Sequence, residues 1–237
     1  MEARRCAHAA RGLSRKLQPM RTADHPLNAD GIWCEILTKG TPGRVALFFD
    51  RDGAVVEETA YLCRVADIVM IDGAAAVIAA ANKRGVAVVM VTNQAGIGRG
   101  YYGWDEFNTV QAAIIAALAA QGASIDAVYA CAHHPEGRAG YAHPDHPARK
   151  PNPGMLLQAA SDLKLDLKES WLVGDKAIDV EAAKRAGLAG ALQVATGYGE
   201  AERQSAAAFA NPTFEVRFGR SIADAMALPI LMVPDVR

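Results

Sequence analysis

Short apolar runs recur along this chain, each followed by a helical stretch, and that alternation restricts the fold more than any other feature. Val45–Phe49, Val86–Val91, Ile125–Ala130, Trp171–Gly174 and Ala189–Val194 are short and mostly apolar. Such runs suit strands that are buried on both faces. Between them the spacing predicts helices at about Gly73–Lys83, Asp105–Ala120, Pro153–Leu163 and Ile178–Ala186. Pro153 suits a first helical turn, Asp105 and Glu106 lie near a positive helix end, and Gly187 is placed to close the last helix. Phe214–Phe218 and Ser221–Leu228 give a weaker strand and helix. The pattern predicts an α/β fold, a Rossmann-like and mostly parallel sheet flanked by helices. Ligands in such sheets bind beyond the C-terminal ends of the strands.

The polar residues cluster at those ends. Asp50-Arg51-Asp52-Gly53 follows the first run and Thr92-Asn93-Gln94 the second. Cys131-Ala132-His133-His134 follows the third, and Gly174-Asp175-Lys176 the fourth, with Asp179 one helical turn on. Two carboxylates at i and i+2 on a strand end point to the same side. They repel one another unless a cation or a shared proton intervenes, and Mg²⁺ prefers oxygen ligands of this kind. A solvated aspartate-rich turn is the alternative for this motif alone.

Composition narrows the setting. Of 237 residues, 25 are Lys or Arg and 26 are Asp or Glu, so no global charge draws the chain to nucleic acid. No apolar stretch reaches the length of a membrane span. Cys6, Cys34, Cys63 and Cys131 show no framework spacing, which fits a reduced cytoplasmic compartment. Residues 1–43 read as a basic leader, expected to be flexible, with Arg4, Arg5, Arg11, Arg15, Lys16 and Arg21 near its start. A true start nearer Met20 explains them equally well. Residues 44–237 read as a single domain.

Chemically, an aspartate can attack phosphorus and be released from the acyl-phosphate by water. Asp50 is the expected nucleophile and Asp52 the acid and base that serves both steps. Mg²⁺ is expected on Asp50, Asp175 and the backbone carbonyl of Asp52. Thr92 and the Asn93 backbone would hold phosphate oxygens, and Lys150 would neutralise the reacting carboxylate and transition state. Asp179 is expected to orient Lys150 or a metal-bound water, with Lys176 in a supporting position.

With these residues in place, the chain resembles the haloacid-dehalogenase-like phosphatases, in their capless branch. The four motifs are Asp50-Arg51-Asp52-Gly53, Thr92-Asn93, Lys150, and Gly174-Asp175 with Asp179. The stretches Thr92–Tyr102, Cys131–Pro135 and Arg149–Met155 are similar to those of the heptose-bisphosphate phosphatases within that branch. The resemblance spans about residues 45–200 and implies a small phosphorylated sugar as substrate. It also implies that Arg149 and Arg99 recognise the sugar or its distal phosphate, for which an arginine fork is well shaped. Too few residues separate Asp52 from the helix near Gly73 for an inserted cap domain.

Many relatives hold a structural zinc through Cys-x-His and a later Cys-x-Cys. Here Cys131 and His133 match the first half, while His146 and Ala148 stand in the second. Cys131, His133, His143 and His146 form a rearranged candidate zinc set. The loop also resembles proline-rich loops of relatives without zinc, so both arrangements stay open. The functional expectation is removal of the C7 phosphate from a heptose 1,7-bisphosphate by a monomer or weak dimer. Histidinol phosphate or another sugar phosphate is the enzymatic alternative, and a phospho-ligand binding protein the non-enzymatic one.

Overall fold

The computed structural model describes residues 25–232. The basic residues of the expected leader, and the question of its start, lie outside them. Seven strands form one sheet: β1 (Trp33–Ile36), β2 (Arg44–Phe49), β3 (Ala87–Asn93), β4 (Ala127–Cys131), β5 (Leu165–Gly174), β6 (Gly190–Val194) and β7 (Glu215–Gly219). Their order is β1-β4-β3-β2-β5-β6-β7. All neighbours pair in parallel except β1, which runs antiparallel to β4. The helices are α1 (Ala74–Lys83), α2 (Ala95–Gly98), α3 (Trp104–Ala119), α4 (Gly154–Leu163), α5 (Ala177–Ala186), α6 (Gly199–Ala207) and α7 (Pro229–Met232). The mostly parallel sheet and its flanking helices are those expected from the sequence.

Strand alternation divides the core into two layers. Leu47 and Phe49 of β2 join Val88, Met90 and Val128 against α1 and α3. Ala46 and Phe48 face the other way, with Val89, Tyr129 and Leu172 against α4 and α5. The central strands are therefore apolar throughout, which is why they were readable as continuous runs. Gly187 closes α5 in the left-handed region at φ 80°, where a side chain would be strained.

Three elements depart from expectation. Trp33–Ile36, placed in the leader, is an edge strand of the sheet. Its Trp33 is buried, stacks on Trp104 and meets Phe107 edge-on, with centroids 5.1 Å apart. The folded domain therefore includes residues ahead of position 44. Second, β5 starts six residues before Trp171: its first half pairs Leu165 and Asp166 with Arg44 and Val45, ahead of a register shift. Ser170 Oγ accepts the Ala46 N–H at 2.8 Å across that irregularity. Third, the helix expected over Ser221–Leu228 is a shorter 3₁₀ helix, Ile222–Ala227, with Ser221 Oγ accepting the Ala223 N–H at its start.

The chain between Gly53 and α1 carries no separate cap domain. It forms a small flap, in which Ile71 N–H donates to Val55 O and Glu57 N–H to Val69 O, and a single 3₁₀ turn, Val65–Asp67. Among the described residues no helix is long and apolar enough to cross a membrane. Cys34 and Cys131 are free thiols.

If β1 is integral to the domain, Trp33→Ala should cost about 3–5 kcal/mol, as for other large aromatic truncations in a core. Urea unfolding measures this, and a loss below about 1 kcal/mol, the scale of a surface change, would contradict it.

Candidate active site

The ends of β2, β3 and β5 and the loop before α4 meet at one cavity of about 240 Å³. Asp50, Asp52, Thr92, Asn93, Arg149, Lys150, Lys176 and Asp179 all line it. The β2–β5 ladder runs one residue past β2, with Asp50 N–H donating to Val173 O at 2.9 Å. The chain then turns at Gly53, whose φ of 86° belongs to the left-handed region. This turn carries Asp50 inward and Asp52 toward the cavity mouth. Asp50 is 5% exposed as a residue, while the Asp52 side chain is 16% exposed.

Lys150 is the electrostatic centre. Its ammonium donates to Asp50 Oδ1 at 2.9 Å and to Val91 O at 2.8 Å, and it pairs with Asp179 Oδ1 at 2.6 Å. Burial alone would weaken its hold on the proton, but Asp179 and Asp50 outweigh that and raise its pKa above the ordinary lysine value. The Lys150 backbone is fixed as well. Asn93 Nδ2 donates to Lys150 O at 2.9 Å, and Lys150 N–H donates to Asn93 Oδ1 at 3.1 Å. Asn93 thus ties the end of β3 to the loop that delivers the lysine. Asp179 is placed by the start of α5, where its Oδ2 accepts the Lys176 N–H at 3.1 Å.

Asp50, Asp175 and Asp179 bring carboxylate oxygens within 4.8 Å of one another, all buried. Asp175 Oδ2 accepts the Tyr198 N–H at 2.8 Å, and Oδ1 is buried without a partner. A buried carboxylate oxygen left unpaired costs free energy unless something binds it, and a hard dication fits this donor set. Two glycines keep the position open: a Cβ at Gly53 or Gly197 would fall 2.5 or 2.3 Å from Asp175 Oδ2. Burial, and then Asp50 and Asp179, push the Asp175 carboxyl up to about 8. Without a cation, this cluster keeps a proton.

Asp52 sits in different surroundings. Arg51, fully buried, donates from Nε to Asp52 Oδ1 at 3.0 Å and from Nη2 to Oδ2 at 2.8 Å. Gln94 Nε2 donates to Asp52 Oδ2 at 3.1 Å and to Thr92 Oγ1 at 2.9 Å. At the cavity's outer wall, Lys176 pairs with Glu58 at 3.1 Å and lies 4.4 Å from the Tyr198 ring centre. Arg149 lines the cavity and donates to His133 O at 3.1 Å. Arg99 is not among the lining residues: Glu136 at 2.7 Å and the Tyr61 hydroxyl at 2.9 Å hold its guanidinium. Tyr61 itself lines the cavity, so Arg99 stands one residue behind its wall.

The candidate zinc set does not assemble. Among the described residues, Asp50, Asp175 and Asp179 form the one group of three or more His, Cys, Asp or Glu that brings ligand atoms within metal-binding distance of one another. The His133 and His146 rings stack in parallel, 3.8 Å apart and 3° from coplanar. His146 Nδ1 accepts the Ala148 N–H at 3.1 Å, and His133 Nε2 lies 3.1 Å from Asp30 O. Burial raises the Cys131 thiol to about 11, and its Sγ lies 3.9 Å from His146 Nδ1. His143 meets His146 edge-on at 5.0 Å. These residues pack as a loop core.

Sequence reasoning missed how Arg51, Gln94, Tyr102, Gly197 and Tyr198 serve the site. Gln94 was findable, since it lies two residues after Thr92 at a strand end. Gly197 and Tyr198 carried no signal, because they enter from the loop after β6.

The comparisons agree with this architecture. A family model described as "HAD-hyrolase-like" matches residues 147–218. The chain is 47% identical over 167 residues to D-glycero-beta-D-manno-heptose-1,7-bisphosphate 7-phosphatase of Mesorhizobium japonicum, covering 70% of this chain and 77% of that one. A crystal structure from Mesorhizobium loti, assigned to the HAD-like phosphatases, superposes with a TM-score of 0.76 at 40% identity, over 87% of this chain and 94% of the other. D,D-heptose 1,7-bisphosphate phosphatase from B. bronchiseptica, solved with magnesium and phosphate, gives a TM-score of 0.65 at 29% identity, over 76% and 94%. The chain belongs to the haloacid-dehalogenase-like phosphatases, in their capless branch.

The raised Asp175 carboxyl fixes a pH dependence. In chelator, the folded state holds a proton that the unfolded chain loses above about pH 4. This contribution to stability therefore declines as pH rises from about 4 toward 8. Mg²⁺ displaces that proton, so it should raise the melting temperature more at pH 8 than at pH 5. Melts with Mg²⁺ and with chelator at both pH values provide the check, and an equal Mg²⁺ shift at both would contradict the assignment.

Proposed function

We propose that this chain is a Mg²⁺-dependent phosphomonoesterase that removes the C7 phosphate of D-glycero-D-manno-heptose 1,7-bisphosphate through an aspartyl-phosphate. The observation that carries the reading is the triple contact of Lys150 with Asp50, Asp179 and Val91 O, beside a carboxylate cluster built for a cation. Binding alone requires neither a lysine-paired nucleophile nor a second, separately held carboxylate. The likeness to two heptose-bisphosphate phosphatases supports the substrate.

In this reading the Asp50 carboxylate attacks phosphorus and the bond from phosphorus to the sugar oxygen breaks. Asp52 gives its proton to the departing alkoxide. Water then attacks the acyl-phosphate, Asp52 takes its proton, and phosphate leaves Asp50 free. Lys150 stays charged throughout and offsets negative charge on Asp50 and on the phosphoryl oxygens. Thr92 and the Asn93 backbone orient those oxygens. Asp50, Asp175 and the Asp52 carbonyl would hold Mg²⁺, which when bound neutralises the phosphate and the carboxylates around it. Asp179 acts through Lys150 and needs no contact with substrate. Arg149 and Lys176, which line the cavity, are taken in this reading as the groups that meet the distal phosphate. The reading further takes the enzyme as a cytoplasmic monomer.

Phosphate release should be measured with Mg²⁺ on both anomers of the heptose bisphosphate, on histidinol phosphate and on simple hexose phosphates. The heptose bisphosphate is expected to show the highest kcat/KM, and Asp50→Asn is expected to reduce release to background. A preference for histidinol phosphate would overturn the substrate. Release by Asp50→Asn equal to that of the wild type would overturn the mechanism.

A further inference from the structure

Asp52 must reach the leaving oxygen in one step and a water in the next, so its orientation relative to the phosphate matters. Arg51 holds it at two points but belongs to the adjacent residue of the same loop. The third donor comes from a different element. One amide group, Gln94 Nε2, spans Asp52 Oδ2 at 3.1 Å and Thr92 Oγ1 at 2.9 Å. That amide links the acid–base carboxylate to the hydroxyl expected at the phosphate.

An amide can perform this task in only one of its two orientations. The Tyr102 hydroxyl donates to Gln94 Oε1 at 2.5 Å, and Arg51 Nη2 lies 3.4 Å from the same oxygen. Turned over, the amide would set its NH₂ against the Arg51 donor and its oxygen against the Asp52 carboxylate. Tyr102 is half-buried, and the desolvation of its hydroxyl beside Gln94 holds it well above the usual tyrosine range, so it remains an O–H donor. Gln94 is only 2% exposed, leaving water little part in the choice.

We propose that Gln94 and Tyr102 are positioning residues that set the orientation of Asp52 toward the phosphate, Gln94 directly and Tyr102 through Gln94. This deepens the function proposed above and rests on it. It separates two classes of substrate: a sugar alkoxide needs a proton to leave, whereas the phenoxide of an activated aryl phosphate does not. Misplacing Asp52 should slow the first transfer only for the sugar.

The test compares Tyr102→Phe, Gln94→Leu and the double variant on the sugar phosphate and on p-nitrophenyl phosphate, with saturating Mg²⁺. Gln94→Leu should lower kcat on the sugar phosphate by about tenfold to a hundredfold, within the range general acid–base catalysis supplies. KM and the rate of the first-turnover burst of nitrophenol should stay within about twofold. Tyr102→Phe should show the same split to a smaller degree, and the double variant should match Gln94→Leu alone. A loss in the nitrophenol burst equal to the loss on the sugar phosphate, an effect confined to KM, or additive losses in the double variant would overturn the proposal. The burst is the readout because Asp52 also serves the water step common to both substrates. Melting temperatures establish folding. Tyr102→Phe keeps the ring that packs on Gly96, so it carries the test if Gln94→Leu does not fold. A wild type with no nitrophenol burst and no Mg²⁺-dependent phosphate release would instead refute the phosphatase function on which the proposal rests.

Discussion

A buried ammonium among carboxylates organises this molecule. Lys150 carries one positive charge, and Asp50, Asp175 and Asp179 together can carry three negative ones. Inside a protein such an imbalance is costly, and the chain reduces it in two ways. It binds Lys150 to Asp50 and Asp179 directly, and it leaves Asp175 with a raised pKa and an unpartnered oxygen. The site is therefore poised to exchange a proton for a dication. The glycines against Asp175, the Asn93 bridge to the Lys150 backbone and the Asp179 cap of α5 all keep these groups in register.

The scaffold explains why so few contacts suffice. β2 lies between β3 and β5, so its C-terminal end is flanked by the ends of two parallel neighbours. Asp50, Thr92 and Asp175 then arrive at one place without long loops. Lys150 is brought from a loop outside the sheet, and it is the residue whose backbone is held by a reciprocal side-chain pair. Precision is applied where topology does not supply it.

Much of this was legible in the sequence because a central parallel strand is a continuous apolar run, and the residue that reaches the cavity is the first polar one after it. Legibility failed where that relation weakens. Trp-Cys-Glu-Ile at β1 is short and alternating and lies beside a basic stretch, so nothing in the pattern distinguished an edge strand from a leader. The first half of β5, Leu-Asp-Leu-Lys-Glu, is largely solvent-facing and reads as loop. The zinc question turned on side-chain direction, since residues at ligand-like spacing instead stack ring on ring. Spacing likewise could not reveal Glu136 and Tyr61 as the partners of Arg99. Tyr198 and Gly197 reach Asp175 from more than twenty residues away, a proximity only the folded sheet creates.

Two aspartates separated by a single residue are given unlike tasks by what surrounds them. Asp50 faces inward, with a lysine on one oxygen and two further carboxylates nearby, an arrangement that suits attack once a cation is present. Asp52 faces the mouth, clear of that cluster and gripped by a guanidinium and an amide, the surroundings that the proposed mechanism assigns to its acid and base. The Arg51 between them belongs to this division. Its buried cation lies over the Phe107 ring, 5.4 Å from the centre, so the α3 core fixes the clamp that fixes the acid. Core packing and proton transfer are thereby connected through one side chain. This is the physical sense in which a Rossmann-like layer of apolar residues determines the chemistry at its edge.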